Sequence, residues 1–109
     1  MRLEILGGLA LLVFSGYVSA FEIVGTGKIT YVENGWYGEG LAIRDTVGLD
    51  GCSAPDTEFA IDAGHPGYKE LVSLALSAFT SASDVQLVVE KNACIFGGRT
   101  KILSIRLIK

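Results

Sequence analysis

The chain has 109 residues, twelve acids, nine bases and a formal net charge of −3. That length allows one small core and leaves no room for a separate substrate domain. The bases are scattered among acids rather than gathered into a stripe, which excludes nucleic acid as a partner, and one histidine with no Cys-x-x-Cys spacing excludes a metal centre; no cofactor is implied.

Arg2 precedes an apolar run from Ile5 to Val18, closed by Val18-Ser19-Ala20. A positive flank, an apolar stretch and small residues before a cut are the signature of a secretory signal peptide, here 1–20, cleaved between Ala20 and Phe21. The run is too short to span a bilayer core. The mature unit, 21–109, is therefore expected to be a single domain that works in the periplasm or outside the cell. Cys52 and Cys94 are expected to pair there as a disulfide.

From Phe21 to Val32, β-branched and aromatic residues are interrupted by Gly25 and Gly27, which reads as a strand with a bend. Glu33-Asn34-Gly35 is a turn signal. A three-residue loop with Gly35 in the left-handed position would put Ile29 and Tyr31 on the face of Tyr37, Leu41 and Ile43. It would also turn Glu39 inward unless the strand bulges near Gly38 and Gly40. Asp45 to Thr57 reads as a solvated acidic loop tied down by Cys52, and Glu58 to Asp62 as a short strand with Phe59 and Ile61 on one face.

His65-Pro66 opens a helix expected to run from Pro66 to Ala82, His65 serving as a cap or loop residue. Its apolar stripe is Tyr68, Leu71, Val72, Ala75, Leu76 and Phe79. Asp84 to Glu90 alternates with Val85, Leu87 and Val89 inward and Val88 as an outward exception. Cys94 and Gly97-Gly98 lie in a connection from Asn92 to Arg99. In the last strand, Thr100 to Lys109, Leu103, Ile105 and Leu107 are expected to face the core, leaving Ile102 and Ile108 on an outer face suited to a partner chain. The order β-β-β-α-β-β fits a mainly β fold with one α-helix: a five-stranded OB-fold-like barrel with one disulfide.

Gly67-Tyr68-Lys69-Glu70-Leu71-Val72 followed by Asp84-Val85-Gln86-Leu87-Val88-Val89-Glu90-Lys91-Asn92 resembles the B subunits of AB-type bacterial toxins, those of subtilase cytotoxin and typhoid toxin above all. It is also similar to small exported Gram-negative proteins of unassigned function. The resemblance covers about 25 residues and implies a ring-forming, glycan-binding subunit. The Ser-Asp segment that binds sialylated glycans in those toxins has no counterpart in Tyr31-Val32-Glu33-Asn34-Gly35-Trp36-Tyr37, so that site does not carry over.

No base stands beside a nucleophile in the sequence, and Gly25-Thr26-Gly27-Lys28 lacks the length of a phosphate-binding loop, so no enzyme is expected. Trp36 and Tyr37, directly after the turn, are the candidate ligand-binding residues, because rings at a hairpin tip can stack on sugar faces or enter a partner. Trp36 could equally cover the barrel mouth, and the core is the favoured place for Tyr37. Glu39 and Arg44 are the candidate hydrogen-bonding groups. The reading is an exported, non-catalytic binding module for a glycan or an envelope protein; the alternative is a self-assembling homo-oligomeric subunit.

Overall fold

Glycines and β-branched runs divide the chain into short strands that cannot bury their apolar faces singly. The computed structural model describes residues 21–109; the expected leader, 1–20, lies outside the described residues. Six strands and one helix follow in order: β1 (Phe21–Ile23), β2 (Gly27–Asn34), β3 (Gly40–Asp45), β4 (Glu58–Asp62), α1 (Tyr68–Ser81), β5 (Asp84–Ile95) and β6 (Arg99–Ile108). The bent first strand is β1 and β2 together. Both halves lie antiparallel to β5, with Ile23 opposite Val88 and Gly27 opposite Val85, after which β2 leaves β5 and pairs with β3.

β3 pairs with β4, β4 runs parallel to β6, and β6 returns antiparallel to β5, so β5, β2, β3, β4 and β6 close a ring. Inside it Ile43, Phe59, Ile61, Val85, Leu87, Val89 and Ile102 are all buried. Removing such side chains from water is the main favourable term in folding, about 1.5–3 kcal/mol for each one fully buried.

Two irregularities decide which residues face inward. In β2 the pairing with β3 shifts between Ile29 and Tyr31. One extra residue there reverses the alternation, so Ile29 and Val32 turn to the core and Tyr31 and Glu33 turn out. The expected placement of Tyr31 on the Leu41 and Ile43 face is thus corrected: Tyr31 lies opposite Arg44, and Val32 opposite Ile43. In β6 a second shift sets Val88 opposite Ser104 but Val89 opposite Ile102, with Leu103 as the extra residue. Ile102 is therefore fully buried, not outward as alternation implied, while Leu107 is exposed and Leu103 half-buried. The outer apolar face expected at Ile102 and Ile108 is lost; on the strands, exposed apolar side chains fall at Phe21 and Ile23 of β1 and at Leu107.

α1 packs on β2, β4 and β6. Its buried seam is Leu71, Ala75 and Ala78, with Tyr68 and Val72 partly covered. Leu76 and Phe79, expected in the stripe, are exposed. Alanine at two of the three seam positions lets the helix approach closely along a narrow line, which leaves the neighbouring large side chains outside it. At the helix entrance the Gly67 N–H donates to His65 Nδ1 (2.8 Å), the local role expected of that histidine. At the far end Lys28 Nζ donates to the Ala82 carbonyl (2.9 Å) and to Asp84 (2.6 Å), placing a cation at the negative end of the helix dipole.

The segment between β3 and β4 is pinned to the β5–β6 hairpin. Cys52 and Cys94 form a disulfide with Cα atoms 5.6 Å apart, and the Ala54 N–H donates to the Gly98 carbonyl (3.0 Å). Such a bridge is consistent with a periplasmic or secreted protein. Asp45 departs from the expected solvated loop. It is the last residue of β3, paired opposite Ile29 and 1 % exposed, and neither carboxylate oxygen has a well-aligned hydrogen bond. Gly27 lies against it so closely that an added Cβ would strike Asp45 Oδ1 and the Thr46 hydroxyl. Burial raises the Asp45 pKa above its ordinary 3.8, against a smaller opposing pull from the nearby Val47 and Thr46 amides and the Thr46 hydroxyl.

Two outcomes follow from these features. Replacing both cysteines by serine frees a loop of about 43 residues and is expected to cost about 4 kcal/mol, read as a lower denaturation midpoint with an m-value that rises because the unfolded chain is less compact. For Asp45 the folded pKa exceeds the unfolded one, so the native state binds more protons, and stability falls as pH rises from the unfolded value through the raised one. Denaturation of Asp45→Asn and the parent across that window is expected to show the difference moving steadily in favour of the uncharged variant as pH rises; a difference independent of pH would refute the buried-carboxyl account.

Candidate functional site

The β2–β3 connection and the β5–β6 turn stand at one end of the ring and enclose an open cleft of about 280 Å³. Sequence alone suggests a three-residue loop with Gly35 left-handed. Instead the Gly35 N–H donates to the Gly40 carbonyl (2.7 Å), the Gly38 N–H donates to the Gly35 carbonyl (3.1 Å), and Gly38 carries the positive φ of 81°. The loop therefore has four residues, Trp36 to Glu39. Its stabilising contact is local: the Tyr37 N–H donates to Glu39 Oε1 (2.9 Å), so Glu39 braces the loop rather than facing the core. Gly40 is required where the chain re-enters the sheet, because a Cβ there would collide with the Ile61 carbonyl of β4.

On this loop Trp36 and Tyr37 are 82 % and 87 % exposed, which corrects the core placement favoured for Tyr37. Exposure of Trp36 does not leave it unheld. Its indole Nε1–H donates to Glu33 Oε2 (3.0 Å), and the Tyr31 hydroxyl donates to Glu33 Oε1 (2.5 Å). Tyr31 and Glu33 are two apart on β2, on the same outer side, so the strand sets the carboxylate between the two rings. Both hydrogen bonds favour the ionised carboxylate and hold the Glu33 pKa below its ordinary 4.5, the Tyr31 bond most strongly. In return the bond to Glu33, and then burial, raises the Tyr31 pKa.

The opposite wall comes from the β5–β6 turn. Phe96, Gly97 and Arg99 line the cleft, and Gly97 and Gly98 have φ of 70° and 72°, conformations that consecutive glycines supply. Arg99 is fixed: Nε donates to Glu58 Oε1 (3.2 Å), a guanidinium N–H donates to the Phe96 carbonyl (3.4 Å), and the group lies 5.6 Å from the Phe96 ring centroid. Ala42, opposite Glu33 in the β2–β3 pairing, is the small side chain that lines the cleft between the walls.

Of the four residues singled out from sequence, Trp36, Tyr37 and Glu39 border this cleft. Arg44 does not. It lies over the Tyr31 ring at 4.6 Å and donates to Glu58 Oε2 (3.4 Å), so it reaches the site only through the residues it supports. Glu33, Asn34, Ala42, Phe96, Gly97 and Arg99 are cleft residues that sequence reasoning missed. Glu33 lay within the turn signal and Phe96 next to the paired glycines, but nothing in the order of residues joins positions 33–39 to 96–99.

Trp36 is the single tryptophan of the chain, so its fluorescence reports this site alone. Glu33 titrates below 4.5, and its hold on the indole is present above that value and lost as pH falls through the depressed one. Trp36 anisotropy is expected to drop in that acid range before global unfolding, and to be low and independent of pH in Glu33→Ala; an unchanged anisotropy in Glu33→Ala would remove the tether. The chain matches no family model, no curated protein and no solved structure.

Proposed function

We propose that the chain is an exported, non-catalytic binding module that takes a glycan in the cleft between the Trp36 loop and the Phe96 turn. The observation that carries this reading is the tethered and exposed Trp36 indole. Leaving a large apolar ring in water costs free energy that burial would recover, while a fixed orientation lowers the entropy lost when a ligand stacks on it. A rigid aromatic platform beside hydrogen-bonding side chains suits a sugar ring, which has an apolar face and a polar rim.

The fold reading supports it. Ring closure through a parallel β4–β6 pair, with the helix between β4 and β5, is the connectivity expected of an OB-fold barrel. In that fold, ligands meet the face of the second and third strands and the loops after the first and fourth, counting β1 and β2 as one strand; oligosaccharides are among the ligands. The cleft lies between those two loops. The resemblance to toxin B subunits points the same way, and a disulfide suits export.

A binding role fits Glu33 better than that of a hydrolytic acid. A glycosidase needs one carboxylic acid whose pKa is raised so that it can protonate the leaving group, whereas Glu33 is pushed down. Mature protein on a glycan array is expected to bind a restricted set of sugars, and Trp36→Ala to weaken that binding at least about tenfold, roughly 1.4 kcal/mol, with its thermal transition unchanged. Equal binding by Trp36→Ala would end the reading.

A further inference from the structure

Charged side chains are unevenly placed around the cleft. Glu33 and Glu39 both border it, and Arg99 is the cation that lines it. Arg99 is drawn to the sheet side of the cleft: Glu58, itself four-fifths covered, pairs with it at 3.2 Å and also with Arg44 at 3.4 Å. The two arginines and the carboxylate they share leave one positive charge over on the sheet side; Glu33 and Glu39 outnumber it, so the five groups together are net negative. Each oxygen of Glu33 and Glu39 in use accepts one hydrogen bond, from Tyr31, Trp36 or the Tyr37 amide. A carboxylate oxygen has two lone-pair sites, so acceptor capacity is left for a ligand.

We infer that this site selects an uncharged hexopyranose residue, whose hydroxyls donate to Glu33 and Glu39 while its apolar face lies on Trp36, and rejects the same glycan capped by an anionic sugar. This rests on the glycan reading above and adds its specificity. Charge-assisted bonds from hydroxyl to carboxylate are the stronger kind. An anionic sugar would place its carboxylate near two others, and like charges set against each other suppress the wrong partner.

The test uses matched fluorescent oligosaccharides, one ending in galactose and the other extended by sialic acid, titrated against the mature, disulfide-bonded protein. The neutral member is expected to bind at least about tenfold more tightly at low salt. Raising salt to about 1 M shortens the screening length to about 3 Å and is expected to narrow that ratio. Glu39→Gln keeps a carbonyl oxygen for the Tyr37 amide and removes only charge; it and Glu33→Gln are each expected to lower the ratio severalfold, with thermal transitions confirming that both fold. Preference for the sialylated member, or a ratio unmoved by salt and by both variants, would overturn the selectivity while leaving glycan binding in place. Binding of no sugar by the parent protein would overturn the glycan reading and this inference with it.

Discussion

The filling of the five-stranded ring depends on the points where strand alternation is interrupted. A strand with unbroken alternation keeps one face inward along its length, so a bulge decides which side chains enter the closed interior. Here one extra residue near Thr30 in β2 and another at Leu103 in β6 exchange the faces partway along. The shift in β6 delivers Ile102 to the core, and the shift in β2 that delivers Val32 to the core delivers Tyr31 and Glu33 to the outside. Core and cleft are therefore products of one constraint: a bulge that fills the interior also sets the carboxylate that holds Trp36.

The site is rigid at its base and open at its rim. Glu58 joins β3, β4 and β6 through Arg44 and Arg99, and Tyr31 is covered by the Arg44 guanidinium. Ion pairs this close to solvent add little to stability, but they fix the side chains from which the loop residues are hung. The disulfide works at the same end, since Cys94 lies just before the Phe96 turn and ties it to the segment after β3. Binding surfaces carried on loops over a fixed scaffold lose less entropy when a ligand arrives.

Local features were legible in the sequence wherever short-range chemistry set them. The bend at Gly25 and Gly27, the helix after His65-Pro66, the inward set Val85, Leu87 and Val89, and the pairing of Cys52 with Cys94 follow from glycine and proline geometry, from periodicity and from the scarcity of thiols. The aromatic pair after the turn was visible as a candidate for the same reason. Errors gathered where alternation was carried too far: Ile102 was placed outward and Tyr31 inward because a bulge leaves no mark in a run of apolar residues. Leu76 and Phe79 were placed in the helix seam because spacing identifies an apolar side without fixing how wide a line of it the sheet can cover.

Sequence by itself determined the kinds of elements, their order and the covalent bridge, because each depends on residues that are neighbours or on atoms with a single partner to choose. Only the tertiary structure decided that Phe96 and Arg99 stand across from Trp36, that Glu33 rather than Glu39 holds the indole, and that Asp45 is buried without a well-aligned hydrogen bond. The cleft and the burial of Asp45 come from contacts between segments distant in the chain, brought together by ring closure. Strand register fixes such contacts, and register is settled by the packing of the whole core rather than by any stretch within it.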